Sequence, residues 1–142
     1  MKENEFQRKI VRALESIGAW TLNVHGHRMQ KSGVPDLYVA HPKWTGWIEL
    51  KTNKGKPSDL QVCNIRSLIN RGVSAYVVRL YEDTVYCEVW GKGHYEVLSY
   101  CEEWERGKGT TRGLELLKML SSADKLLVKF IQDSYTGDKN EM

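Results

Sequence analysis

Gly33-Val34-Pro35-Asp36-Leu37-Tyr38-Val39-Ala40, followed by Gly46-Trp47-Ile48-Glu49-Leu50-Lys51-Thr52, sets two carboxylates and a lysine inside otherwise apolar runs. Residues 34–40 and 46–52 read as strands, because each is apolar, partly β-branched and bounded by turn-forming residues. Side chains at i and i+2 of a strand share a face, so Glu49 and Lys51 project together with Trp47 while Ile48 and Leu50 turn to the other side. The connection from Pro42 to Gly46 is short enough for a hairpin, which would lay Asp36 beside Glu49 on the neighbouring strand.

Two adjacent carboxylates repel unless a cation lies between them. A hard cation such as Mg²⁺ takes oxygen ligands and leaves positions for waters and a substrate phosphate. Such an ion makes a coordinated water easier to deprotonate and stabilises the charge of an in-line attack on phosphorus. On the Glu49 face, Lys51 could orient that water, take its proton if its own pKa is lowered, or neutralise the phosphate. Glu-x-Lys in a strand is also the pattern of a solvated, ion-paired face. The apolar setting of each carboxylate favours the metal site.

Outward from these strands, Phe6, Ile10, Val11, Leu14 and Ile17 recur at helical spacing, predicting a helix over residues 3–17 stopped by Gly18. Residues 19–24 read as a strand. Residues 23–33 form a polar loop with His25, His27, Arg28 and Lys31, whose His-x-His pair lacks a third zinc ligand at suitable spacing. These loop histidines are expected to meet substrate or solvent, with His25 or His27 a candidate proton donor to a leaving group. From residue 28 to 56 the bases Arg28, Lys31, Lys43, Lys51, Lys54 and Lys56 face only Asp36 and Glu49 as acids. Around the site, Arg28, Lys31, Lys54, Lys56 and His27 are the expected nucleic-acid-binding set, through phosphate contacts.

Pro57-Ser58-Asp59 opens a second helix with Ser58 as its cap; Leu60, Cys63, Ile65, Leu68 and Ile69 form its apolar side and Gly72 ends it. Residues 74–80 read as a β-branched strand. Residues 84–90 and 94–100 pair as a hairpin around Gly91-Lys92-Gly93. Residues 101–113 are charged and glycine-bearing, reading as a linker or exposed loop. From 111 to 133 a helical stripe of Leu116, Leu120, Ala123, Leu127 and Phe130 or Ile131 follows, with Ser121-Ser122-Ala123-Asp124 as a point of division into two helices. The stripe must be covered, by its own domain or by a second copy of the chain. Residues 136–142 carry no apolar pattern.

Glu3 and Gln7 in the opening helix, Gly-Val-Pro-Asp, Ile-Glu-Leu-Lys, and Lys54-Gly55-Lys56-Pro57-Ser58 leading to Gln61 resemble the VRR-NUC branch of the PD-(D/E)xK nuclease superfamily over residues 3 to 80. The resemblance implies an α/β fold with a restriction-endonuclease-like αβββαβ core, a mixed central sheet flanked by helices, here extended by a C-terminal hairpin and helical segment. It implies Mg²⁺- or Mn²⁺-dependent DNA cleavage, with Asp36, Glu49 and the carbonyl of Leu50 as metal ligands and Lys51 as the catalytic lysine. Gln61 matches the glutamine that opens the second core helix. Glu3 matches the acidic residue of the first helix, with Glu5 and Gln7 as alternatives. Related branches place a tyrosine four residues after the glutamine, where this chain has Ile65. Small stand-alone members resemble Holliday-junction resolvases acting as homodimers, so branched DNA is the expected partner.

At 142 residues and a formal net charge of +3, the chain is long enough for one core and is no polycation. Residues 1–100 are expected to form the nuclease domain and 101–142 a helical extension of it. Three cysteines without metal-ligand spacing point to a reducing compartment. With no apolar run long enough for a bilayer and no signal-peptide pattern, an intracellular, cytoplasmic protein without a membrane partner is expected. No small-molecule cofactor beyond the metal is implied. Two other functions fit the same residues: a nicking or replication- and repair-linked nuclease, and a DNA-binding scaffold without catalysis. The presence of Asp36, Glu49 and Lys51 together weighs against the scaffold.

Overall fold

The alternation of charge and apolarity in residues 46–52 is resolved by a sheet with two different faces. The computed structural model describes residues 1–24 and 32–141, the side chains of 129–141 excepted. The expected positions of His25, His27, Arg28 and Lys31 lie outside the described residues. The elements run α1 (Glu3–Ser16), β1 (Trp20–Asn23), β2 (Leu37–His41), β3 (Trp44–Thr52), α2 (Asp59–Asn70), β4 (Ala75–Tyr81), β5 (Thr84–Gly91), β6 (His94–Cys101), a short 3₁₀ turn (Trp104–Arg106) and α3 (Gly109–Glu141). Among the described residues, six strands lie in chain order, antiparallel except for β3 and β4, which the α2 crossover joins in parallel. This is the mixed αβββαβ core, extended by a hairpin and a helix.

One face of the sheet carries Leu37, Val39, Ile48, Leu50, Tyr76, Val78, Leu80, Val85, Cys87 and Val89, all buried. α1 and α3 cover it, meeting where Gly113 abuts the Ala13 carbonyl so closely that any side chain would collide. α3 is fastened to the sheet by Asp124, which accepts from Ser74 Oγ at 2.8 Å and from the Tyr76 hydroxyl, and by Ser99 Oγ donating to the Met119 carbonyl at 2.8 Å. The other face presents Trp47, Glu49 and Lys51 of β3, Val77 and Arg79 of β4, and Glu88 of β5, and α2 packs over its middle.

Four expectations are corrected. The β2–β3 turn is Pro42-Lys43 alone, because His41 pairs with Trp44, so Trp44 and Thr45 belong to β3 and Trp44 is buried against Tyr76. On α2 only Ile65 and Ile69 are buried; Leu60 is 48% exposed and Cys63 exposed. Cys63 precedes Ile65 by two residues, about 200° round a helix of 3.6 residues per turn, and so faces away from the sheet. Residues 101–113 are no linker: Trp104 is 3% exposed, edge-on to Phe6 and stacked under the Arg112 guanidinium, and α3 starts at Gly109. Nor does α3 divide at Ser121–Asp124, since Asp124 spends its carboxylate on the sheet; it continues to Glu141, past the expected limit.

The stripe Leu116, Leu120, Ala123 and Leu127 is buried within the chain. The three cysteines are free. No helix among the described residues is long and apolar enough to cross a membrane.

Candidate metal centre

β2 and β3 pair from His41↔Trp44 to Leu37↔Ile48 and then part. Trp47 N–H donates to the Ser74 carbonyl and Asn53 N–H to the Leu80 carbonyl, so the main-chain groups of the odd-numbered residues of β3 point toward β4. Those of Ile48 and Leu50 point the opposite way, toward β2. Beyond Leu37 no β2 partner remains for Leu50. Asp36 supplies it with a side chain instead: Leu50 N–H donates to Asp36 Oδ2 at 2.9 Å. A strand residue sends its N–H and C=O to the same side, so the Leu50 carbonyl faces this gap as well.

Asp36 and Glu49 come one step beyond the last ladder pair, Leu37↔Ile48, and Glu49 is 1% exposed. Its Oε1 accepts from the Asp36 N–H at 3.2 Å, and its Oε2 accepts from Gln61 Nε2 at 2.9 Å and lies 3.3 Å from Lys51 Nζ. Burial, and then the Asp36 carboxylate, push the Glu49 carboxyl up to about 8, while Lys51 pulls it down. A buried carboxyl held this far above its ordinary range is short of positive charge.

Gln61 reaches Glu49 because its helix begins with a reciprocal cap. Gln61 N–H donates to Ser58 Oγ at 3.1 Å, and Ser58 N–H donates to Gln61 Oε1 at 2.8 Å. The amide oxygen is thereby fixed on the helix end and the amide nitrogen is aimed at the site. Ile65, where related branches have tyrosine, is fully buried in the core.

The structure thus brings together Asp36, Glu49, Lys51, Gln61 and the Leu50 main chain. Glu3 is not among them: α1 lies on the opposite face of the sheet, and no hydrogen bond or ion pair among the described residues joins Glu3 to these groups. One turn further along α1, Gln7 Nε2 is buried and has no partner among the described residues. Lys54 and Lys56 are exposed on the β3–α2 loop, next to the site in sequence. Trp47 does share the Glu49 face, half-buried, with its ring 5.1 Å from that of Tyr38.

Among the described residues no three or more His, Cys, Asp or Glu side chains converge on one point. The oxygen-bearing groups at the gap are the two carboxylates and the Leu50 main-chain carbonyl, all hard oxygen. That fits Mg²⁺ or Mn²⁺, which are bound through one or two carboxylates and complete their shells with water and phosphate, and it does not fit zinc, which takes nitrogen and sulfur.

A second buried ion pair is not anticipated from sequence. Arg79 Nε donates to Glu88 Oε2 at 2.9 Å and its terminal nitrogen to Glu88 Oε1 at 3.2 Å. The same guanidinium holds the carbonyls of Asn53 at 2.8 Å and Gly55 at 2.6 Å, and Trp90 Nε1 donates to Glu88 Oε1 at 2.9 Å. Arg79 stands directly across from Lys51 in the parallel register. The signal that picks out Glu49, a single charge inside an apolar strand, is present in both Ala75–Tyr81 and Thr84–Gly91.

No family model matches the chain, and no curated protein does. Among solved structures it is similar to the Holliday junction resolvase Hjc of Archaeoglobus fulgidus, at a TM-score of 0.45 and 18% identity, over 69% of this chain and 73% of that one. The fold assignment stands on the element order and sheet register described above.

Proposed function

We propose that the chain is a divalent-metal-dependent endonuclease that hydrolyses DNA phosphodiesters at the Asp36–Glu49 pair. The observation that carries this reading is the geometry of the pair: buried Glu49 and Asp36 held together by the Asp36 N–H to Glu49 Oε1 bond at 3.2 Å and the Leu50 N–H to Asp36 Oδ2 bond at 2.9 Å, at a gap between strands that the Leu50 carbonyl also faces. Asp36, Glu49 and the Leu50 carbonyl would hold Mg²⁺ or Mn²⁺, which when bound lowers the pKa of water and stabilises charge on the phosphate.

The remaining groups have work of their own. Lys51 Nζ, 3.3 Å from Glu49 Oε2 and on its face, is placed to orient the attacking water or offset the charge gathering on the phosphate. Gln61, through Oε2, and the Asp36 N–H, through Oε1, fix the rotamer of Glu49. Lys54 and Lys56 supply phosphate contacts, which position the strand without reading sequence. Glu3 enters the site only if substrate or metal draws the start of α1 toward the gap.

The VRR-NUC resemblance makes branched DNA the preferred substrate, a four-way junction first, and a homodimer the working unit, since a two-fold assembly presents two sites to a two-fold substrate. In this reading residues 101–142 are part of the same domain as 1–100, and the protein works inside the cell. The test is the cutting pattern: symmetric paired cuts on a four-way junction by a dimer support a resolvase, whereas cuts on flaps or nicked duplex alone keep the nuclease and discard the junction.

A further inference from the structure

On the face that carries Glu49 and Lys51, the three strands beyond β3 form a cleft of about 500 Å³, lined by Lys54 and Lys56 at its rim, Arg79 and Glu88 in its wall, and Tyr81, Tyr86, Trp90, Tyr95 and Val97. It begins at Arg79, directly across from Lys51, and its far wall on β6 is about 14 Å from β3 at ~4.8 Å per strand. We propose that this cleft receives one unpaired nucleobase of the strand whose phosphodiester lies at the Asp36–Glu49 pair. The inference rests on the nuclease reading.

Three features favour a base. The apolar wall is aromatic and uncovered among the described residues: Tyr95 is 54% exposed and its ring lies on the Trp90 indole at 4.7 Å and 11°. An exposed stacked pair offers a flat platform, and every base has a π-face to lay on it. Next, the platform is built in advance. Glu88 accepts from Trp90 Nε1 and from Arg79, and Arg79 also ties down the carbonyls on either side of Lys54. Both oxygens of the buried Glu88 are thereby occupied, so no free carboxylate opposes a phosphate.

The third feature is charge. Lys54, Lys56 and Arg79 stand against Glu88 alone, an electropositive rim around an apolar floor, matched by a base with phosphates on either side. A cleft of this volume admits one nucleotide and excludes a double helix, whose bases are already stacked on each other. A second copy of the chain seated on the β6 edge is the rival occupant.

The test uses the full chain in EDTA, so that nothing is hydrolysed. A single-stranded oligonucleotide containing 2-aminopurine, and the same strand annealed to its complement, are titrated with wild type, Tyr95→Ala and Tyr95→Phe. Expected are quenching of 2-aminopurine in the single strand by wild type, a roughly tenfold weaker single-strand affinity with loss of the quench in Tyr95→Ala, and recovery of both in Tyr95→Phe, with duplex affinity and salt slope unaltered. Absence of quenching by wild type, equal loss on both DNAs, unchanged affinity in Tyr95→Ala, or a fall in sedimentation mass in that variant overturns the proposal. A chain that quenches but hydrolyses no DNA in Mg²⁺ loses the nuclease reading and keeps the cleft. One that hydrolyses DNA while Tyr95→Ala binds as wild type keeps the nuclease and loses the cleft.

Discussion

The main-chain N–H of Asp36 donates to Oε1 of Glu49 at 3.2 Å, across the point where β2 leaves β3. Distant in the chain, the two carboxylates are locked into one unit by backbone as well as side chain. Neither can be moved without breaking the end of the β2–β3 ladder, which is how a rigid sheet keeps two like charges adjacent.

Metal affinity should depend on pH. A Glu49 carboxyl at about 8 holds its proton through neutral pH, and a carboxylate ligand must lose it. Mn²⁺ or Mg²⁺ affinity therefore rises about tenfold per pH unit from pH ~6 and levels off above about 8, with close to one proton released per ion. The same shift fixes the sign for stability. The folded value lies above the ordinary 4.5, so this group's contribution is fully present below about 4.5 and is lost as pH rises toward 8. In EDTA, wild type should lose more Tm between pH 5 and 8 than Glu49→Gln does. Calorimetric titration in buffers of differing ionisation enthalpy checks the first; paired melts check the second. Affinity that is flat with pH, or parallel melting profiles, would remove the perturbed carboxyl from the account.

Lys51→Ala should lower the rate of DNA hydrolysis by about 10²–10⁴-fold, the usual worth of a positioned charge-stabilising group, and should change metal affinity far less, because Lys51 is not a ligand and acts on the metal only through its charge beside Glu49. Single-turnover cleavage and metal titration on the same preparation separate the two effects. An unchanged rate would exclude Lys51 from the reaction.

At Gln61 the structural and site roles can be pulled apart. Gln61→Ala removes the Ser58 N–H to Oε1 arm of the reciprocal cap and the bond to Glu49, leaves Ser58 Oγ accepting from the residue-61 N–H, and should cost up to about 1 kcal/mol of stability along with activity. Gln61→Glu keeps the reciprocal cap, so stability is largely retained at pH 7, but it sets a carboxylate against Glu49 Oε2. Its pH–rate profile should shift upward relative to wild type. A profile that coincides with wild type's would mean that Gln61 serves the helix alone.

The features legible in the sequence are local ones. Asp36, Glu49 and Lys51 stand out because each lies in an otherwise apolar run, though Asp36 falls just before β2 rather than within it, and strand periodicity alone suffices to put Glu49 and Lys51 on one face. The Ser58 cap of α2 is legible for the same reason, since a helix cap closes within one turn. Partners distant in sequence are not legible. Asp124 reads as the start of a new helix because a capping pattern is local, whereas its actual partners are Ser74 and Tyr76, at the edge of and within β4. Trp104 is hidden among charged neighbours and is held by Phe6 and Arg112. The Arg79–Glu88 pair carries the same signal as Glu49 but belongs to no motif, so nothing in the residue pattern joins the two strands.

The most direct test is hydrolysis of end-labelled four-way junction, flap, single-stranded and duplex DNA in Mg²⁺, Mn²⁺ or EDTA, with wild type and Asp36→Asn side by side. The account predicts cutting by wild type that needs the metal and is abolished in Asp36→Asn, while DNA binding by that variant is retained, because removing a carboxylate does not weaken attraction to phosphate. No cutting of any DNA by wild type, or cutting that persists in EDTA or in Asp36→Asn, would contradict it.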